Sequence, residues 1–141
     1  MNHLQYEIRL AEDDRSAIER ALTSDPHRET AAFILAGEAR VGTCVRLLAR
    51  RIVTIPNTEY RDRTRHHIEL APRAINGLVA LCEASGLRPI LCHSHPDDVP
   101  YSPSDDHGEQ RIAATLQQFF PGQVMGSLLL TPSGLAARAW R

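Results

Sequence analysis

The chain has 141 residues, and its contents of 43% hydrophobic and 23% charged residues are ordinary for a globular protein with a substantial core. A formal net charge of −1 does not indicate a nucleic-acid-binding surface, and no apolar run is long enough to span a bilayer. Because the N-terminus also lacks a signal-peptide pattern, we expect a cytoplasmic protein with neither a nucleic-acid nor a membrane partner.

The first elements follow from apolar patterning. Alternating apolar residues predict a strand over residues 4–10. A helix that is capped by Asp13 or Asp14 follows and ends near Thr23. The run over residues 30–36 is almost entirely apolar, which is typical of a strand buried in the middle of a sheet.

The segment after this strand is more polar. Residues 37–40 predict a hairpin turn, and residues 41–55 supply one or two strands whose arginines indicate one solvent-facing side. Residues 57–65 carry five charges and predict a mobile surface loop that is open to a substrate. A short strand is expected over residues 67–70.

The remainder of the chain alternates between helix and strand signals. Five elements are predicted there: a helix from Pro72 that Gly86 ends, a strand over residues 89–92, a helix over residues 104–119, and strands over residues 124–130 and 135–140. This order predicts a mixed α/β (α+β) fold in which helices flank a central sheet. We expect one domain over residues 1–141, which is either a whole compact protein or a piece of a longer one.

The segment His93-Ser94-His95-Pro96, followed by Ser102-Pro103-Ser104-Asp105, carries the strongest chemical signal. Residues i and i+2 of an extended segment point the same way, so His93 and His95 can converge on one ion. Asp105 can complete the set at the start of the next helix. Two imidazoles and a carboxylate suit a catalytic zinc, whose fourth position is left to water. We therefore predict one zinc ion per chain.

The same residues also have structural interpretations. The Ser-Pro-x-Asp pattern at residues 102–105 is a signature of a helix N-terminus, with serine as the cap and aspartate completing a capping box. Two hydrogen-bonded imidazoles at a strand end would explain His93 and His95 without a metal. Ser94 lies between them and is expected to point away from the metal, in a supporting role.

Three cysteines and a second histidine pair are weaker candidates. Cys44, Cys82 and Cys92 lack metal-binding spacing, so buried reduced thiols are expected, and a nucleophilic role for Cys92 is the less favoured alternative. His66 and His67 are adjacent, and adjacent strand residues point to opposite faces. We do not expect them to share a metal ion.

The chain resembles the JAMM (JAB1/MPN/Mov34) metalloproteases, whose signature is a glutamate, then His-x-His-Pro, then Ser-x-x-Asp. The second and third parts are present as His93-Ser94-His95-Pro96 and Ser102-Pro103-Ser104-Asp105. The family's glutamate precedes an apolar strand that ends in glycine, and Glu29 with residues 30–37 is similar to that segment. The resemblance covers nearly the whole chain, since the order of elements also fits.

Two assignments stay open. The loop after His95 is one residue shorter than in many members of the family, and the longer spacing would select Asp106 instead of Asp105. It would also place a proline where the serine belongs, so Asp105 is preferred. Three other glutamates compete with Glu29 until the family pattern is applied: Glu38, Glu59 and Glu69.

The resemblance implies a curved mixed sheet between helices, of the JAMM/cytidine-deaminase-like type, with the metal at the sheet edge. It implies a zinc ion that is held by His93, His95 and Asp105 and that lowers the pKa of its bound water toward about 7. Glu29 would then act as the general base, and Ser102 would donate a hydrogen bond to the oxyanion.

By the same resemblance, the substrate is a ubiquitin-like protein whose C-terminus is joined by an amide bond to a lysine or a peptide. The chain is similar to the minimal prokaryotic JAB type, whose members often accompany or are fused to an E1-like adenylating domain, so we expect such a partner. Two other functions stay open. One is a non-catalytic MPN scaffold, which typically lacks the His-x-His and Asp set, and the other is a zinc hydrolase of a small amino-acid conjugate.

Overall fold

The computed structural model describes residues 3–141. These residues form three α-helices and a curved mixed sheet of six strands, which confirms the predicted mixed α+β class. The strands are β1 (Gln5–Arg9), β2 (Ala31–Val41), β3 (Cys44–Thr54), β4 (Tyr60–Arg63), β5 (Ile68–Leu70), β6 (Arg88–Ser94), β7 (Met125–Thr131) and β8 (Gly134–Trp140). The helices are α1 (Glu12–Leu22), α2 (Pro72–Ser85) and α3 (Pro103–Phe119). No helix in this part of the chain is both long and apolar enough to cross a membrane.

The strands of the main sheet lie in the order β1-β3-β2-β6-β7-β8. The β1–β3 and β6–β7 pairs are parallel, and the other neighbouring pairs are antiparallel. The sheet curves until it is nearly closed, which brings β1 near β8. Strands β4 and β5 form a separate antiparallel hairpin.

Strand β2 separates two hydrophobic cores. Ala32, Ile34 and Ala36 belong to the core under α1, whereas Phe33 and Leu35 belong to the core under α2 and α3. Because both faces of the strand are covered, an almost uninterrupted apolar run is needed there. The predicted central buried strand is therefore confirmed.

Gly126 of β7 lies where the curved sheet approaches itself. A Cβ at this position would come within 3.0 Å of Leu47 Cδ1, 3.1 Å of Ile90 Cγ1 and 3.2 Å of Ile8 Cδ1. These three side chains come from three different strands of the sheet. A residue without a side chain thus lets β7 pack against the inner face of the sheet.

The hairpin turn predicted at residues 37–40 is wrong. Strand β2 continues to Val41, and Gly37 pairs with Leu48 of β3 inside the ladder. The chain turns instead at Gly42, whose φ of 59° lies in the left-handed region that favours glycine. The polar residues of the predicted turn alternate with apolar ones, so they fit the outer end of a strand.

Two other local predictions need correction. The first helix is not capped by Asp13 or Asp14, because its N-cap is Ala11 and both aspartates lie in the first turn, where they complement the helix dipole. Residues 57–65 are not an irregular loop, since they contain a short 3-10 turn at Asn57–Glu59 and then β4. Pairing with β5 satisfies the backbone of this segment.

Replacing Gly126 with alanine tests the close approach of β7. We expect the free energy of unfolding to fall by about 1–3 kcal/mol, because the new methyl group must displace three packed side chains. Gly77→Ala is the matched control, since the corresponding space in α2 is open and alanine favours a helix by up to about 1 kcal/mol. Urea denaturation measures both variants. Equal destabilisation of the two would contradict the packing explanation.

Candidate metal centre

Strands β2 and β6 bring distant side chains to one edge of the sheet. The two strands are antiparallel, so the start of β2 lies beside the end of β6, and Ala31 pairs with His93. Glu29 lies two residues before the start of β2, and His95 immediately follows β6. The pairing therefore places Glu29 next to both histidines.

The start of α3 supplies the fourth side chain. The Ser102 hydroxyl oxygen accepts a hydrogen bond from the backbone N–H of Asp105 (3.2 Å), and Asp105 Oδ2 accepts one from the Ser102 N–H (2.7 Å). These reciprocal bonds form the capping box that the sequence allowed. The same carboxylate also faces the two histidines, so the structural and chemical interpretations of Asp105 are compatible.

Four side chains converge into one group that could hold a metal ion: Glu29, His93, His95 and Asp105. The Nε2 atoms of His93 and His95 lie 3.3 Å apart. Asp105 Oδ1 lies 3.3 Å from His93 Nε2, and its Oδ2 lies 3.1 Å from His95 Nε2. A tetrahedral site with bonds of about 2.0–2.1 Å requires ligand atoms roughly 3.3 Å apart. The spacing of these three residues therefore fits an ion of the size of zinc.

His95 is oriented by a hydrogen bond outside the cluster. Its Nδ1 lies 2.8 Å from the backbone carbonyl oxygen of Val99, which can only accept. Nδ1 therefore carries a proton and Nε2 faces the cluster, where it donates to Asp105 when the ring is protonated and offers its lone pair to an ion when the ring is neutral. Ser94 points away, because its buried hydroxyl oxygen accepts a hydrogen bond from the Thr30 N–H (3.0 Å).

The pKa values of the two carboxylates in the cluster are shifted in opposite directions. Burial raises the pKa of Glu29, and the neighbouring histidines offset this only in part. Burial also acts to raise the pKa of Asp105, but hydrogen bonds from His93 and His95 outweigh it and hold that pKa well below its usual range. Burial lowers the pKa of His95, whereas its bonds to Asp105 and the Val99 carbonyl raise it by more. Glu29 is thus the carboxylate with the greater affinity for a proton.

The positions of the side chains decide which aspartate and which glutamate lie beside the histidines. Asp106 lies outside the cluster, where its Oδ1 accepts a hydrogen bond from Arg138 Nη1 (2.6 Å). Among the described residues, the cluster contains Glu29 and none of the three competing glutamates, Glu38, Glu59 and Glu69. Glu29 and Asp105 are therefore the carboxylates placed beside the histidines.

The other candidates do not join the cluster. Cys82 and Cys92 are buried, and burial raises the pKa of the Cys82 thiol to about 11 and that of Cys92 further. Cys44 is only partly buried, contrary to the prediction. His66 lies 3.6 Å from Asp97, and His67 Nδ1 lies 3.3 Å from the hydroxyl oxygen of Ser104.

The structure contains a polar network beside His93 that the sequence analysis did not predict. The Tyr101 ring stands edge-on to the His93 ring at 5.9 Å, and its hydroxyl lies 2.9 Å from Ser127 Oγ. Ser127 donates to buried Glu109, and the Arg138 guanidinium lies 3.7 Å from the centre of the Tyr101 ring. These residues come from three separate elements and a loop, so only the fold brings them together.

A groove of about 930 Å³ leads to His93 and Asp105. Its floor is formed by β2 and β6, where the buried side chains of Phe33 and Leu91 line it, and its walls are β5, α2 and α3. A concave apolar surface that ends at a group of polar side chains is the usual form of a substrate site.

No known protein-family model matches the chain, and no curated protein matches it closely enough to count as a relative.

Neighbouring aspartates provide a direct test of the ligand set. We expect the wild-type protein to bind about one zinc ion and Asp105→Ala to weaken zinc affinity by more than about 100-fold. Mutating a residue that only hydrogen-bonds to a metal ligand already lowers metal affinity by about 10–100-fold, and loss of a ligand should cost more. Asp106→Ala should keep its zinc, since it loses only an exposed ion pair. Plasma mass spectrometry after dialysis measures the metal. Zinc loss in Asp106→Ala and retention in Asp105→Ala would reverse the assignment, and His93→Ala/His95→Ala serves as the zinc-free reference.

Proposed function

We propose that the chain is a zinc-dependent isopeptidase or peptidase of the JAMM type, which hydrolyses the amide bond after the C-terminus of a ubiquitin-like protein. The main support is the spacing of His93, His95 and Asp105 beside the buried carboxylate of Glu29. The JAMM signature in the sequence and the curved mixed sheet agree with this proposal. An E1-like partner and a cytoplasmic location belong to the same proposal.

Each residue has a distinct task in such a reaction. Zinc held by His93, His95 and Asp105 would act as a Lewis acid toward water and the scissile carbonyl. Glu29 lies 3.9 Å from His95 Nε2, too far for a hydrogen bond, so its carboxylate is available to take a proton from water and return it to the leaving amine. Burial raises the pKa of Glu29, which strengthens it as a proton acceptor.

Ser102 can serve the helix and the reaction together. Its oxygen accepts the hydrogen bond from Asp105 N–H, which leaves its own hydroxyl hydrogen free to donate. A donor at this position, beside the ligand Asp105, would stabilise the oxyanion of the tetrahedral intermediate. The proposed role of Ser102 therefore does not compete with capping.

The choice of substrate rests on the motif and on the groove. The groove leads to His93 and Asp105, which suits an extended chain segment that precedes the scissile bond. Its volume also lies within the 300–1,000 Å³ of small-molecule sites, so a zinc hydrolase of a small amino-acid conjugate is the second candidate. A ubiquitin-like protein with a C-terminal fluorogenic amide and a small N-acyl amino-acid amide distinguish the two when kcat/KM is compared.

Glu29→Gln tests the general base with these two substrates. We expect kcat on the better substrate to fall by about 10²–10⁴-fold while zinc remains bound, because glutamine is similar in shape but cannot accept the proton. Glu38→Gln is the control, since Glu38 lies on β2, the strand that Glu29 precedes, and pairs with Arg88 away from the cluster. Stopped assays with metal analysis give both quantities. Unchanged kcat in Glu29→Gln would remove Glu29 from the mechanism, and zinc-loaded wild-type protein that cleaves neither substrate would refute the proposed function.

Two substitutions of Ser102 separate capping from catalysis. Ser102→Gly removes the hydroxyl donor but costs the helix only a few tenths of a kcal/mol, because glycine is tolerated at an N-cap. We expect kcat to fall by about 10²–10³-fold with little change in the unfolding midpoint. Ser102→Thr keeps the hydroxyl and should retain most activity. Activity and thermal unfolding of the pair are the measurements, and parallel losses of stability and kcat in Ser102→Gly would leave capping as the whole role.

A further inference from the structure

The backbone of Glu29 is held by the β4–β5 hairpin. Glu29 lies just before β2, outside the pairing of the main sheet. Its N–H donates to the Thr64 carbonyl (2.8 Å), and its carbonyl accepts a hydrogen bond from Arg63 Nε (2.6 Å). Both polar backbone groups of Glu29 are thus bonded to one short segment that follows the 3-10 turn.

Arg63 is itself fixed by several contacts. Its Nη2 donates to Thr30 Oγ1 (2.6 Å), and its Nη1 donates to Asn57 Oδ1 (3.4 Å). The guanidinium carbon lies 4.6 Å from the centre of the Tyr60 ring. A planar group that bonds through three nitrogens has one orientation, which a flexible ammonium group would not maintain.

Tyr60 of β4 holds the next residue, Ala31, at the start of β2. Its hydroxyl accepts a hydrogen bond from the Ala31 N–H (2.9 Å) and donates to the Ala31 carbonyl (3.1 Å). Together, Arg63 and Tyr60 hold Glu29, Thr30 and Ala31 from one side. The segment that carries the carboxylate is therefore anchored by side chains of β4 as well as by the sheet.

The side chain of Glu29 has no comparable anchor. Among residues 3–141, no hydrogen bond to a protein group fixes its carboxylate, and His95 Nε2 lies 3.9 Å away. The direction of the carboxylate then depends on its backbone and on the packing around it. A shift of the backbone would move the carboxylate relative to the histidines and Asp105.

We propose that Arg63 is a positioning residue for Glu29, holding the backbone of the general base so that its carboxylate faces the cluster of His93, His95 and Asp105. The inference rests on the proposed function of Glu29. Arg63 bonds to the backbone of Glu29 and not to its carboxylate, so it acts on the proposed base only through the segment that it binds. A displacement of about 1 Å at a reacting group can cost about 10²-fold in rate.

Arg63→Met tests this role, because methionine keeps an apolar stem against Tyr60 and removes every donor. We expect kcat to fall by about 10–100-fold, KM to change less than about twofold and zinc content to remain at the wild-type level. A crystal structure of the variant should find the Glu29 carboxylate moved by about 1 Å or more relative to His95. Arg63→Lys, which keeps one donor for the Glu29 carbonyl, should recover part of kcat and covers the case in which the methionine variant does not fold.

Arg73→Met is the control for loss of an arginine in this region. Arg73 also donates to a backbone carbonyl, that of Thr58, but this carbonyl lies in the 3-10 turn and not beside the base. Wild-type kcat or an unmoved Glu29 carboxylate in Arg63→Met would overturn the proposal, as would an equal loss in Arg73→Met. If zinc-loaded wild-type protein cleaves no amide substrate, the proposed function fails, and the position of Glu29 in the crystal structures still decides the role of Arg63.

Discussion

The antiparallel pairing of β2 with β6 is the constraint on which the candidate site depends. Only this pairing, with Ala31 opposite His93, brings a glutamate near the start of the chain beside two histidines more than sixty positions later. A slip of one residue would turn His93 to the other face of the sheet, away from α2 and α3. The apolar side chains of β2 prevent that slip, because they fill different cores on the two faces. Packing of the cores therefore determines the geometry of the cluster.

At the start of α3, one residue serves both the fold and the candidate metal site. Asp105 closes the capping box with Ser102 and at the same time faces both imidazoles. A helix N-terminus favours a carboxylate as its third residue, and its dipole and N–H groups help to keep that carboxylate ionised. The loop from Pro96 to Ser102 also provides the Val99 carbonyl that orients His95. The local structure that begins the helix thus holds a carboxylate beside the two histidines, in a group that could bind a metal ion.

How much the sequence predicts depends on how local each interaction is. The two histidines and Asp105 follow from spacing within one strand end and one helix cap, so the sequence identifies them. Glu29 needed the family pattern, because its partners are remote and three other glutamates were equally acceptable. The fold class follows from apolar periodicity, whereas the turn at Gly42 was placed too early because a polar strand end resembles a turn. Arg63 and the network around Tyr101 had no local signal, since their roles arise only when separate elements meet.

Two buried glutamates show why burial alone does not identify a functional carboxylate. Glu109 is as buried as Glu29, but it accepts hydrogen bonds from Ser127, Arg138 and Trp140, which compensate for its lost hydration. Glu29 has no such donors, and burial raises its pKa. Burial of a carboxylate without protein donors can be offset by a raised pKa or by water, and the oxygens of Glu29 still reach solvent. Glu109 is thus held by the protein itself, whereas the oxygens of Glu29 stay free for water or for an ion in the cluster, and for this reason the proposed reaction uses Glu29 and not Glu109.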